Sequence, residues 1–363
     1  MTAMSRAAVL EAPERMAVHE YPIPALEPDD ALLRVEMVGV CGTDWKYFSG
    51  KLSVPYPIIL GHEILGRIAD IGARAADRYQ VAVDDRVLVE GSVPCWSCGR
   101  CRSGEYRFCP RRQGYGTRTP ATVPPYLWGA MSEYLYLGPG SIVHRISPEV
   151  PAGTAIAAAL LANGIEWLRD RGNVTLGDNV VIQGCGPQGL AATLIARESG
   201  ARRIVVTGLA RDAARLDLAR RMGATHTIVA DQEDVEDRVR EITAGRMADV
   251  CLDVSGSAAA PPVSVRLVRA MGTVVMAGLA GRDAISPMGL DHLVWNEIRL
   301  QGVYVKGERA YSKAIDFIET RAAEYPVHEI VSHTWPLEAA EEAIRAAAGQ
   351  SVPEGFIKAA ILP

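Results

Sequence analysis

Four cysteines fall inside one short stretch of the chain, Cys95-x-x-Cys98-x-x-Cys101 and then Cys109. Thiolates at this spacing are the donor set of a closed, tetrahedral structural zinc site. The glycines and charges between them suit an exposed lobe. A second donor set is spread along the chain: Cys41-Gly42-Thr43-Asp44, then Gly61-His62-Glu63. A thiolate and an imidazole on neighbouring strands can hold zinc with one coordination position open. Asp44 is a candidate to hold the far nitrogen of His62 and fix its tautomer, as carboxylates do behind metal-bound imidazoles. Glu63 is either a further ligand or a supporting group. A lone His beside a Glu is usually structural; two such motifs upstream of a cysteine lobe form a metal pattern.

A third constellation binds phosphate. Gly184-x-Gly186-x-x-Gly189 follows a short apolar run and opens a helical one, the context that this otherwise weak pattern requires. Gly184 permits a tight turn, Gly186 lets the backbone approach a pyrophosphate, and Gly189 allows close helix–strand packing. Free N–H groups at the helix start then hold the phosphate oxygens. Dinucleotide choice is read about 20 residues on, where an acid would grip the ribose 2′-hydroxyl. This chain has Gly208 there, followed by Leu209, Ala210 and Arg211. The expectation is that the glycine leaves room and that Arg211 or Arg215 meets a 2′-phosphate, which leans the choice to NADP over NAD. Asp212 is the competing ribose contact, with a helix N-cap as its ordinary role.

The elements that must position these residues follow from texture. A chain of 363 residues is long for one core and fits two domains of unequal character. Residues 1–155 carry short apolar runs broken by turn residues, among them Ala31–Val38, Ile64–Ile71 and Asp85–Val89, and read as a β-rich, barrel-like domain. Residues 156–304 alternate strand-like and helical runs: Asn179–Gln183, Leu190–Ser199, Arg203–Val206, Asp212–Met222, and on to Gly272–Met276. Such alternation implies parallel βαβ units and a doubly wound sheet, an α/β fold. Residues 305–363, with a helix at Glu308–Glu324 and a strand at Ile357–Leu362, are expected to rejoin the first domain.

Composition excludes other classes. A net charge of −5 gives no general reason to seek nucleic acid or an anionic membrane. No apolar run approaches the ~20 residues of a membrane helix. The first residues lack the apolar core and cleavage site of a signal peptide, so a cytoplasmic location is expected. Clustered cysteines then mean metal, not disulfides. Cys185 and Cys251 stand alone and read as small buried hydrophobes. Arg100, Arg102, Arg107, Arg111 and Arg112 crowd the lobe and read as a solvated surface with local ion pairs.

Taken together, CGTD at 41–44, GHE at 61–63, the cysteine lobe, GCGPQG at 184–189 and the closing IKAAILP resemble the zinc-containing medium-chain dehydrogenases, the alcohol, sorbitol and threonine dehydrogenases. The resemblance spans nearly the whole chain. It implies a GroES-like catalytic domain, a Rossmann-like domain, and a substrate cleft between them. It implies one catalytic zinc, on Cys41 and His62, and one structural zinc. It also makes Thr43 the start of a proton relay and Lys358 a basic contact to the cofactor pyrophosphate. Three departures stand out. The stretch Ala157–Asn163, where a third Cys or Glu ligand is usual, offers only the Asn163 amide. Lys46 stands where many members have a relay His, and Gly208 replaces the NAD-selecting acid. Glu63, with water, is expected to complete the catalytic zinc. The function this implies is hydride transfer between an alcohol or ketone and NAD(P), in a homodimer or homotetramer. The alternatives are a zinc-free reductase of activated double bonds and a non-catalytic dinucleotide-binding protein. Trp45, Tyr47, Phe48, Trp128 and Trp295 are candidate cleft residues.

Overall fold

The computed structural model describes residues 3–281 and 283–363. The chain divides into two units, residues 1–156 with 331–363, and residues 157–330.

The first unit is built on antiparallel pairing. Strands Ala31–Gly39, Glu63–Ile71 and Arg86–Glu90 lie side by side, and Ala31–Gly39 is central because Ala359–Leu362 pairs along its other edge. Most residues of these central strands are buried, so their apolar runs are nearly continuous and form the unit's core with Ile59, Leu60, Leu127 and Ile361. The register sets Gly39 opposite Glu63 on one side and Ala360 on the other. Glu63 in turn stands opposite Glu90.

The second unit has six parallel strands in the order His226–Val229, Arg203–Gly208, Asn179–Gln183, Ala248–Asp253, Val268–Met276 and Arg299–Gly302. By sequence this is 3-2-1-4-5-6, a Rossmann-like order whose direction switches beside Asn179–Gln183. The helix Pro187–Glu198 opens directly after that strand. The expected return at residue 305 is corrected: the chain rejoins the first unit only at Val331. Helix Glu308–Thr320 buries Ala310, Tyr311, Ala314, Ile315 and Ile318 on one face and packs against helix Ala158–Gly164 of the second unit. The closing strand is shorter than expected, Ala359–Leu362. Among the described residues no helix is long and apolar enough to cross a membrane.

Candidate active site and zinc lobe

Cys41 caps the short helix Gly42–Phe48, and the geometry is that of a capping box. The Asp44 carboxylate accepts from the Cys41 backbone N–H at 2.8 Å. Its other oxygen faces His62 Nδ1 at 3.4 Å, and both atoms are buried without an aligned hydrogen-bond partner. One ligand atom each from Cys41, His62 and Glu63 lies within 4.8 Å of the other two. Burial alone would raise the Cys41 thiol, but hydrogen bonding and charge from His62 outweigh it and lower its pKa. Burial would likewise depress His62, yet Asp44 and Cys41 raise it well above the usual histidine value. A thiolate, an imidazole backed by a carboxylate, and a second carboxylate are donors that zinc takes. Asn163 lies in the second unit, where its Oδ1 accepts the Lys306 backbone N–H at 3.0 Å.

Lys358 is placed beside Glu63. It is only 3% exposed, its ammonium donates to the Val40 carbonyl at 2.8 Å, and it stands 2.7 Å from Glu63 Oε2. This cation therefore balances the Glu63 carboxylate. Gly39 makes the pairing possible. A Cβ there would come within 2.2 Å of Glu63 Oε2, so only glycine lets the carboxylate cross the central strand. Gly39 and the Glu63–Lys358 pair were not singled out from sequence; the one available signal was a glycine ending a mostly apolar run.

Thr43 Oγ1 lies 3.7 Å from Cys41 Sγ. Lys46 follows on the same helix, and burial lowers its pKa below the usual lysine value. Of the candidate cleft aromatics, Phe48 and Trp128 belong to the core, Trp45 and Tyr47 pack partly against it, and Trp295 is exposed on the second unit.

The cysteine lobe closes on itself. Sγ–Sγ separations are 3.4 Å for Cys95–Cys109, 3.5 Å for Cys98–Cys101, 3.8 Å for Cys98–Cys109 and 4.0 Å for Cys95–Cys101. A tetrahedron with Zn–S bonds of about 2.3 Å has edges of about 3.8 Å. The fit is to zinc and not to disulfides, and all seven cysteines are free. The neighbouring arginines are spent locally: Arg102 donates to the Ser97 carbonyl, Arg111 to Cys95 Sγ and Ser97 Oγ, and Arg112 to the Arg107 carbonyl. Between Cys101 and Cys109, the Tyr106 hydroxyl bonds the buried Glu90 carboxylate at 3.0 Å, and His144 Nε2 meets the same carboxylate at 3.0 Å. This network roots the lobe in the central sheet.

In the second unit the glycine motif has the geometry of a phosphate cradle. Gly184 has φ +104°, out of reach of most side chains. A Cβ on Gly189 would lie 1.9 Å from the Gly184 carbonyl oxygen, whereas one on Gly186 would meet nothing within 4 Å. The open space is at the position where a pyrophosphate approaches, and no side chain caps helix Pro187–Glu198. Asp212 is spent: its carboxylate accepts the Leu209 backbone N–H at 3.1 Å and pairs with Arg215 at 3.0 Å. Arg211 is exposed. The expectation that Gly208 leaves open room is corrected. It is buried, and a Cβ there would be 2.5 Å from Cys185 Sγ. Burial pushes the Cys185 thiol up to about 12, which marks it as an inert packing group.

A Rossmann-like sheet with an open phosphate loop, joined in one chain to a β-rich unit bearing two metal-donor sets, defines a dinucleotide-dependent metal dehydrogenase. The comparisons make this specific. Residues 27–148 match the alcohol dehydrogenase GroES-like domain, and residues 187–320 match the zinc-binding dehydrogenase family. A probable alcohol dehydrogenase of Mycobacterium tuberculosis is 38% identical over 96% of this chain and 95% of its own length. An erythritol/L-threitol dehydrogenase of Mycolicibacterium smegmatis is 33% identical over 92% and 91%. The crystal structure of an alcohol dehydrogenase from Thermotoga maritima superposes with a TM-score of 0.89 at 26% identity, covering 99% of this chain and all of the other. The chain belongs to the zinc-containing medium-chain dehydrogenase family, and it is an NAD(P)-dependent oxidoreductase acting on CH–OH groups.

Proposed function

We propose that this enzyme interconverts a secondary alcohol and its ketone, with NADP preferred, at a metal site formed by Cys41, His62 and Glu63. The observation that carries the reading is the convergence of those three donors within 4.8 Å, with Lys358 balancing the carboxylate. When bound there, zinc supplies Lewis-acid polarisation of the reacting oxygen. Asp44 orients His62 from behind. Thr43 begins the proton path, and Lys46, with its pKa lowered by burial, carries the proton outward. The open backbone at Gly186 and the helix behind it hold the pyrophosphate, and Arg211 meets the 2′-phosphate. The occurrence of a tetritol dehydrogenase among the relatives supports a secondary hydroxyl or polyol as substrate. The test is kcat/KM across primary, secondary and polyol substrates with both dinucleotides. We expect secondary alcohols to lead and NADP to exceed NAD by about 10-fold, since a free guanidinium favours the phosphate. Turnover confined to primary alcohols, or a preference for NAD, would overturn the corresponding half of the reading.

Glu63→Gln keeps the side-chain shape and removes its charge. Zinc is expected to be lost from the Cys41–His62 site while the cysteine lobe keeps its own, as metal analysis per chain would show. Retention of both ions with most of the activity would assign Glu63 a purely supporting role.

We also propose a homodimer through the second unit. Strand Arg299–Gly302 forms one edge of the six-stranded sheet, and the adjoining helix exposes Leu290, Val294 and Trp295, the last at 81%. An open edge beside an apolar patch is normally covered, and a copy related by a two-fold axis presents the same edge in the complementary direction. Sedimentation should give a dimer that Trp295→Glu weakens; a monomeric wild type would remove the proposal.

A further inference from the structure

The end of strand Arg203–Gly208 is where this fold reads the adenosine ribose, and three observations there concern space and not charge. The ideal Cβ at position 208 falls 2.5 Å from Cys185 Sγ, 3.0 Å from Leu216 Cδ2 and 3.2 Å from Leu216 Cγ, all closer than the about 3.5–4.0 Å of a good carbon contact. The backbone is pinned on both sides. The Gly208 carbonyl accepts from Ala230 N–H at 2.8 Å, the Thr207 carbonyl accepts from Gly184 N–H at 3.2 Å, and the Leu209 N–H donates to Asp212. Cys185 is 2% exposed and Leu216 is 3% exposed, so neither opens onto solvent.

We propose that Cys185, inside the phosphate loop, helps set cofactor choice by filling the space that the stem of an acid at position 208 would need. Residues 185 and 208 then form one size-coupled pair that determines how the 2′ position of the adenosine ribose is read. A carboxylate at 208 alone must displace the Cys185 sulfur, because the strand end is held by its hydrogen bonds and the sulfur stands where the new Cβ must go. Removing the sulfur relieves the closest of the three contacts and leaves Leu216 to give by a few tenths of an ångström, so that an Asp at 208 can accept from a 2′-hydroxyl and repel a 2′-phosphate. Cys185 acts here through position 208 and is a positioning residue. The inference rests on the NADP reading above for its direction, and on packing alone for the coupling.

The experiment compares Gly208→Asp, Cys185→Ala and the double variant in the full-length enzyme. It measures the thermal midpoint and the dissociation constants of NAD and NADP by direct titration. Gly208→Asp alone should lower the midpoint and weaken both dinucleotides by about 10-fold or more, an overpacking effect that does not discriminate. The double variant should regain much of the midpoint that Gly208→Asp loses and move the NAD:NADP affinity ratio toward NAD by about 100-fold, through like-charge repulsion and the new hydroxyl contact. A full ratio shift in Gly208→Asp alone, with no loss of midpoint, would overturn the coupling, as would a double variant that regains neither midpoint nor selectivity. A wild type that prefers NAD would refute the NADP reading while leaving the comparison between single and double variants decisive.

Discussion

Cys41→Ser should reduce kcat/KM for every alcohol substrate by roughly 1,000-fold or more, because the loss falls on electrostatic stabilisation at the reacting oxygen. The folded state should be nearly untouched. Among the described residues three donors converge at this site, and Cys41 is the one whose charge His62 actively stabilises. A serine hydroxyl stays protonated at neutral pH and is a poor substitute for a thiolate on zinc. The two remaining donors, an imidazole and a carboxylate already paired with Lys358, leave the shell short by half. The capping contact survives, since it runs from the Cys41 backbone N–H and not its side chain, so the helix Gly42–Phe48 should keep its start. The predicted signature is one zinc per chain, an almost unchanged thermal midpoint and near-complete loss of turnover. Two zincs per chain, or activity within tenfold of wild type, would mean that Cys41 is not a ligand.

Cys95→Ser should do the reverse. Four sulfurs held 3.4–4.0 Å apart cannot all be ionised without a cation among them. Their environments are already uneven: the Ser97 backbone and hydroxyl draw Cys95 down to about 5, while burial pushes Cys101 up to about 12. Removing one sulfur leaves a site that no longer closes around zinc, and the folding free energy supplied by a structural zinc goes with it. For a unit of this size, a loss of about 3 kcal/mol lowers the midpoint by about 6–12 °C. Turnover per folded molecule should fall much less, because the lobe contributes no donor to the Cys41 site. Differential scanning with and without added zinc, beside activity normalised to folded protein, separates the two effects. An unchanged midpoint would exclude a structural role for the lobe.

The parts of this protein that were legible in its sequence are those written locally. The cysteine lobe is a spacing, the phosphate loop is a spacing between a strand and a helix, and the strands of the second unit announce themselves as short apolar runs. What escaped depends on who neighbours whom. Lys358 and Glu63 are far apart in sequence and meet because Ala359–Leu362 and Glu63–Ile71 flank the same strand, with a glycine between them. No periodicity encodes that order. Gly208 reads as empty space until the loop carrying Cys185 folds against it. The helix Glu308–Thr320 is amphipathic in either domain, so its pattern gives its form but not its allegiance. Strand Arg299–Gly302 escaped because its sequence, RLQG, lacks the apolar run by which its neighbours are recognised.

The Glu63–Lys358 pair also bears on the order in which the protein can be made. Residues 157–330 form a continuous unit, complete in sequence before Val331 has been translated. The first unit is interrupted by it, and its central sheet lacks one flanking strand until Ala359–Leu362 emerges. Until then Glu63 has no cation against it. The second unit is therefore complete in the nascent chain while the sheet of the first still lacks a flanking strand, and Glu63 gains its cation only when the segment carrying Lys358 docks.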